Sequence, residues 1–145
     1  MTYWDSSAIL KLYVTEPDSD YFMALAGAKH VRVHSSAILT VEALCAFSRK
    51  EQEGRITPHV AARVYQDLAR HIEAGRIVLI PYGPGIVTEA HRVLTLIRQA
   101  KTPRVLRSLD LIHLASALEG KATSFVATDI RLREIAALAG LKVLP

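Results

Sequence analysis

The chain has 145 residues, half of them hydrophobic and 22% charged, which suits one folded domain with its own core and excludes a disordered or low-complexity polymer. Lys and Arg total 18 against 14 Asp and Glu, a net charge of +4 that fits a phosphate-bearing partner and equally fits a solvated basic surface. No apolar run approaches the roughly 18 residues of a membrane span, and MTYWDSSAIL lacks the basic stretch that precedes the apolar one in a secretory signal, so a cytoplasmic protein without membrane contact is expected.

Residues 2–5 read as a short strand and SSAILKLYV as the helix after it. EPDSDYFMALAGA is a second helix with Pro17 in its first turn, and VRVH a second strand. Two long helical stretches follow, residues 36–54 and 58–75, each closed by a glycine; Thr57 caps the second and Pro58 takes its first position. RIVLIP is an apolar strand, GIVTEAHRVLTLIRQA and SLDLIHLASALEG are helices, SFVAT is a fourth strand, DIRLREIAALAG the last helix and LKVLP a closing strand. Short apolar strands alternating with amphipathic helices predict a single three-layer α/β/α domain over residues 1–145 with a mainly parallel central sheet. The lone cysteine, Cys45, has no internal disulfide partner and, within VEALCAF, reads as a small buried hydrophobe.

In a sheet of this kind the functional crevice lies beyond the carboxyl ends of the strands, near the point where strand order reverses. Asp5 ends the first strand and Asp129 follows SFVAT, so two acids share that edge. Glu42 has Ile38, Leu39, Cys45 and Ala46 three and four residues away, and Asp110 has Leu106, His113, Leu114 and Ala117, so each carboxylate sits on the apolar side of its helix. A buried carboxylate without a partner costs several kcal/mol, and such groups are therefore paired, hydrogen-bonded or bound to a cation. Each acid also has a purely structural reading. Asp5 and Asp129 would cap the helices that follow them, Asp110 would be a first-turn acid of a helix capped by Ser108, and Glu42, well inside its helix, would pair with a buried arginine such as Arg49 or Arg107. Taken together, four carboxylates with no thiolate or histidine pair beside them form an oxygen-only set suited to Mg²⁺ or Mn²⁺.

Smaller signals lie around these acids. Ser7 is either a hydroxyl for the metal or substrate phosphate or an ordinary first-turn serine, and Arg107 either a phosphate contact or a surface arginine. His113 stands at ligand spacing from Asp110, but no second histidine matches it, so it reads as a packing residue. A phosphoacceptor receiver domain would need an acid at the end of the third strand, where the chain reads IVLIPYG; a nucleotide-binding turn would need a third glycine beside Gly83 and Gly85.

D-S-S-A from Asp5, V-E-A-L around Glu42, L-R-S-L-D-L-I-H-L-A-S-A over residues 106–117 and V-A-T-D-I-R-L ending at Leu132 resemble the four acidic motifs of PIN domains, in particular the small toxin ribonucleases of VapBC-type toxin–antitoxin modules. The resemblance runs in order over almost the whole chain, and its third motif is the most specific. It implies a parallel sheet flanked by helices, endonucleolytic cleavage of single-stranded or looped RNA, an antitoxin partner and a homodimer. It also implies a Mg²⁺ or Mn²⁺ pocket built from Asp5, Glu42, Asp110 and Asp129. Asp5 and Asp110 would hold the cation most directly, Glu42 and Asp129 would act through water or on a second ion, and Ser7, Arg107 and Thr128 would touch substrate. One position departs from the pattern: Ala127 stands two residues before the fourth acid, where the family commonly has Ser or Thr, and Thr128 is next to it. The chemistry also stands without the family, because phosphodiester hydrolysis needs an ionised nucleophile and a sink for charge on the phosphoryl oxygens, and a carboxylate-held cation supplies both. The apolar positions of residues 36–75 exceed those of one obvious core and serve either a dimer or antitoxin interface or ordinary packing. The competing reading is a PIN-like fold kept as a non-catalytic RNA- or protein-binding module, against which the four intact acids argue.

Overall fold

Adjacent residues of a strand point to opposite faces of the sheet, and Tyr3 and Trp4 use that alternation to found two cores. The structure, a computed structural model, describes residues 1–28, 32–100 and 105–145. Five strands, β1 (Thr2–Trp4), β2 (Val33–Ser36), β3 (Ile77–Ile80), β4 (Ser124–Val126) and β5 (Lys142–Leu144), lie in the order β3-β2-β1-β4-β5, each parallel to its neighbours. Parallel strands require crossovers, and helices supply them. The helices α1 (Ser6–Leu10) and α2 (Ser19–Gly27) join β1 to β2, α3 (Leu39–Gln52) and α4 (Val60–Glu73) join β2 to β3, α5 (Pro84–Gln99) and α6 (Ser108–Glu119) join β3 to β4, and α7 (Ile130–Leu138) leads to β5.

On one face Trp4 packs with Ile9, Phe22, Leu39, Phe47 and Leu68 from α1 to α4. On the other, Tyr3 and Phe125, stacked with ring centroids 5.4 Å apart, pack with Val93, Leu114 and Ile135 from α5, α6 and α7. The expected three layers are thus present, and the sheet is wholly parallel. From β1 the chain moves outward through β2 to β3, then returns to the other side of β1 for β4 and β5. Strand order therefore reverses at the carboxyl ends of β1 and β4, the place where such sheets bind ligands. Among the described residues no helix is long and apolar enough to cross a membrane.

Several boundaries differ from those the sequence suggests. The second strand, expected from Val31, has its first residue outside the described ones and continues through Ser35 and Ser36, both fully buried; Ser35 Oγ donates to the Trp4 carbonyl at 2.9 Å, which makes a buried serine affordable in a strand. The helix expected from Ser36 consequently opens at Leu39, and Glu42, expected well inside it, lies in its first turn. Pro17 precedes α2, and α4 begins at Val60 instead of Pro58. Its orphan amides are met by a distant side chain instead of Thr57: the Glu51 carboxylate accepts from His59 N at 2.8 Å and Ala61 N at 2.9 Å. Cys45 is exposed on the outer side of α3, contrary to its expected burial.

A three-way ionic clamp braces the first helices. Glu16, in the turn between α1 and α2, accepts from Lys11 Nζ at 2.7 Å and from Lys50 Nζ of α3, while Lys11 also reaches Asp18. The hydrogen bonds from Lys11 and then Lys50 hold the Glu16 carboxyl down to about 2, against an ordinary value of 4.5. A carboxylate whose value is depressed by folding stabilises the fold above its unfolded value and loses that contribution as pH falls toward the folded one. Replacing Glu16 by Gln is expected to cost about 1 kcal/mol at neutral pH, less than a buried charged hydrogen bond because the group is partly exposed. The same change should flatten the loss of stability between pH 4.5 and 2. Urea melts across that range check it, and parallel acid profiles for parent and variant would remove Glu16 as the source.

Candidate functional site

All four acids singled out in the sequence stand in or directly before the first turn of a helix. Asp5 extends the β1–β4 ladder through its amide to the Val126 carbonyl at 2.8 Å and then N-caps α1, accepting from Ser7 N at 3.1 Å and from the Ser7 hydroxyl. Asp129 N-caps α7, accepting from Arg131 N at 2.8 Å and Leu132 N at 3.3 Å. Glu42 and Asp110 lie in the first turns of α3 and α6. Capping and clustering are therefore compatible, because the positive ends of four helices face the edge where the carboxylates gather. Ser108 is not the cap of α6; it is the first helical residue, and Arg107 holds the cap position without a side-chain hydrogen bond.

The electrostatics bring three of the acids together. Burial pushes the Asp110 carboxyl up, and the negative charges of Asp5 and Asp129 push it further, with Arg107 opposing. Asp110 and Asp129 line a small cleft of about 80 Å³ together with Arg107 and Arg131. Asp129 itself is penalised by burial but held net below its ordinary value by the amides of Leu132 and Arg131 and by the Arg131 charge. The larger cleft, about 390 Å³, lies at the amino ends of β2 and β3 and carries no carboxylate among its lining residues.

Glu42 joins the cluster by a route the sequence did not foresee. Its partner is neither Arg49 nor Arg107 but His113, whose Nε2 donates to Glu42 Oε2 at 2.6 Å. Ser6 Oγ donates to the same oxygen at 2.5 Å. Burial raises the Glu42 carboxyl, but these bonds and the His113 charge outweigh it and leave the group ionised more readily than usual. Ser7 also has a defined task, binding Asp5 while accepting from Thr128 Oγ1 at 2.8 Å. Thr128 thus reaches Asp5 through Ser7, although Ala127, at the position where a hydroxyl was expected, is buried in the core.

Three residues of this arrangement were missed or undervalued by the sequence reading. His113, read as packing, is fully buried but hydrogen-bonded at both ring nitrogens. Ser6 carried a signal only through its place beside Ser7 in the first turn of α1. Arg131, two residues after Asp129, shares the small cleft and approaches Asp129 Oδ2 at 3.6 Å.

The donor set fits a hard, hydrated cation. Among the described residues no three carboxylate, imidazole or thiolate groups close into a ready cage. Mg²⁺ does not need one, since it usually keeps several waters and takes one or two protein carboxylates. The negative charges that Asp5 and Asp129 add to Asp110, offset in part by Arg107, are an imbalance that such an ion would neutralise.

Comparison with known proteins agrees with this fold. A family model described as the PIN domain matches residues 2–138. The chain is 33% identical over 147 residues to ribonuclease VapC46 of Mycobacterium tuberculosis, covering 98% of this chain and 95% of that one. Its backbone is similar to a crystal structure of VapBC2 from Rickettsia felis bound to a DNA fragment from their promoter, with TM-score 0.68, 16% identity and coverage of 99% and 98% of the two chains. It is similar as well to FitAcB from Neisseria gonorrhoeae, with TM-score 0.66, 14% identity and coverage of 100% and 97%. The carboxylates at the strand-order reversal and the match over nearly the full length lead to one conclusion: the chain belongs to the PIN domain family.

Proposed function

We propose that this chain is a metal-dependent endoribonuclease, the toxin of a toxin–antitoxin pair, acting as a single domain in the cytoplasm with Asp5, Glu42, Asp110 and Asp129 as the carboxylates that hold Mg²⁺ or Mn²⁺. The observation that carries this reading is the gathering of three acids at the carboxyl ends of β1 and β4: Asp5 bonds through its amide to the Val126 carbonyl at 2.8 Å, Asp129 follows β4 by three residues, and Asp110 lines one cleft with Asp129. The identity to a named ribonuclease over almost the whole of both chains supports the substrate class.

The bound cation supplies neutralisation of the phosphoryl oxygens and a lowered pKa for the attacking water. The protein's own part is positioning. Ser7 and the α1 amide fix Asp5, the α7 amides fix Asp129, and Ser6 with His113 fixes Glu42. Arg107 and Arg131, which line the acidic cleft, suit the phosphates of a nucleic-acid strand. Ser7 and Thr128 serve through Asp5 rather than by touching RNA first. Structural likeness to VapBC2 supports an antitoxin as partner. Val41 and Leu44, 62% and 48% exposed on the outer face of α3 beside Cys45, provide apolar surface for that partner or for a second copy of the chain.

Purified protein is expected to make internal cuts in a long end-labelled RNA in Mg²⁺ or Mn²⁺ and none in EDTA, with cleavage falling below detection in Asp5→Asn and Asp110→Asn. The Asp5→Asn variant should melt no lower than the parent, because asparagine caps a helix as well as aspartate does and the change removes a charge that repels Asp110. Equal cutting by parent and both variants would overturn the assignment and leave a binding module. A second expectation concerns stability alone: in metal-free buffer Asp110→Asn should melt higher than the parent, since it removes a charge that Asp5 and Asp129 repel. Calorimetry checks it, and a lower melting temperature would mean that Asp110 is stabilised more by its helix than it is repelled by its neighbours.

A further inference from the structure

We propose that Tyr3 and His113 form a buried positioning pair that fixes the Glu42 carboxylate at the acidic cluster and thereby sets the cluster's affinity for a divalent cation. The inference rests on reading that cluster as a metal site. His113 is 1% exposed, so it has no path to RNA and acts through what it holds. Its Nδ1 lies 2.7 Å from the Tyr3 hydroxyl, and its Nε2 lies 2.6 Å from Glu42 Oε2, 3.1 Å from Ser6 Oγ and 3.6 Å from Asp5 Oδ1. Glu42 can only accept, so Nε2 is the donor, and the ring is gripped at both ends.

Neither ring is free to turn. Tyr3 is fully buried, stacks on Phe125 and meets the His113 ring edge-on at 5.9 Å and 70°. Leu114 and Ala117 fill the core on the same side of α6. In a close-packed interior a rotation of either ring would need its neighbours to move. Glu42 differs: it comes from another helix, keeps 22% of its side chain exposed, and has a long chain whose rotamers must be restricted before it can serve as a ligand. Among the described residues both donors to Glu42, His113 and Ser6, address Oε2 and neither addresses Oε1, the oxygen that would face a cation or its water. A buried histidine between a phenol and a carboxylate has a desolvation cost that an apolar residue would avoid. Outer partners that orient a ligand in this way typically change metal affinity by 10–100-fold when removed.

The test titrates Mn²⁺ into the full chain and follows the free ion by electron paramagnetic resonance, with no substrate present. The variants are His113→Gln, whose amide nitrogen can stand where Nε2 stands, His113→Asn, whose shorter amide cannot, His113→Leu, and Tyr3→Phe, which removes the hydroxyl at Nδ1. His113→Leu and His113→Asn are expected to weaken Mn²⁺ binding by about 10–100-fold, His113→Gln to recover most of it, and Tyr3→Phe to fall between them. Thermal melts accompany each variant, and if His113→Leu does not fold, the Gln and Asn pair decides. Parental affinity in folded Asn and Leu variants, or equal loss in Gln and Asn, would overturn the positioning role while leaving the metal site intact. Absence of Mn²⁺ binding by the parent itself would instead remove the metal site and this inference with it.

Discussion

The constraint on which the rest of this structure depends is the gathering of carboxylates at one edge of a parallel sheet. Like charges in a half-buried cleft repel, and Asp110 is raised first by its burial and then by the charges of Asp5 and Asp129. The fold offsets it locally. Each acid is placed at the positive end of a helix, two of them serve as caps that satisfy orphan amides, and arginines stand at the border of the cleft. The site and the helix starts are therefore one feature, and the capping by Asp5 and Asp129 is part of how the cluster is built.

The hydrogen bonds beneath the cluster divide into two chains that meet at the adjacent serines of α1. Thr128 bonds Ser7, which bonds Asp5; Tyr3 bonds His113, which with Ser6 bonds Glu42. One chain starts at the end of β4 and the other in the core between β1 and α6, so the site is braced from both sides of the strand-order reversal. The larger cleft at the opposite edge, between α2, α4 and the amino ends of β2 and β3, has arginines and a histidine but no carboxylate among its described lining residues.

Low identity with a shared backbone is the expected outcome of these constraints. Solved structures at 14–16% identity superpose over nearly the full chain. A five-stranded parallel sheet covered on both faces asks only for apolar residues of suitable size in short runs, and many sequences satisfy that. The polar residues at its carboxyl edge are less replaceable, because each must reach a particular partner.

From the amino-acid order alone came the alternation of strands and helices, the two-sided burial of the sheet, the four acids, and the sheet edge that Asp5 and Asp129 share. These follow from local periodicity and from the rule that parallel sheets bind at strand-order reversals. Tertiary structure decided what local pattern leaves ambiguous. Helix α3 carries apolar residues on two sides, so periodicity could not tell that Leu39, Ala43 and Phe47 face the core while Val41, Leu44 and Cys45 face outward. Ser36 reads in sequence as a helix start, whereas in the fold β2 runs on through Ser35 and Ser36, with the Trp4 carbonyl as partner of the Ser35 hydroxyl. His113 read as packing because the phenol that grips it lies 110 residues away along the chain, on a different element. Hydrophobic pattern is a property of neighbours in sequence, whereas a hydrogen bond between distant side chains exists only once the chain has closed on itself.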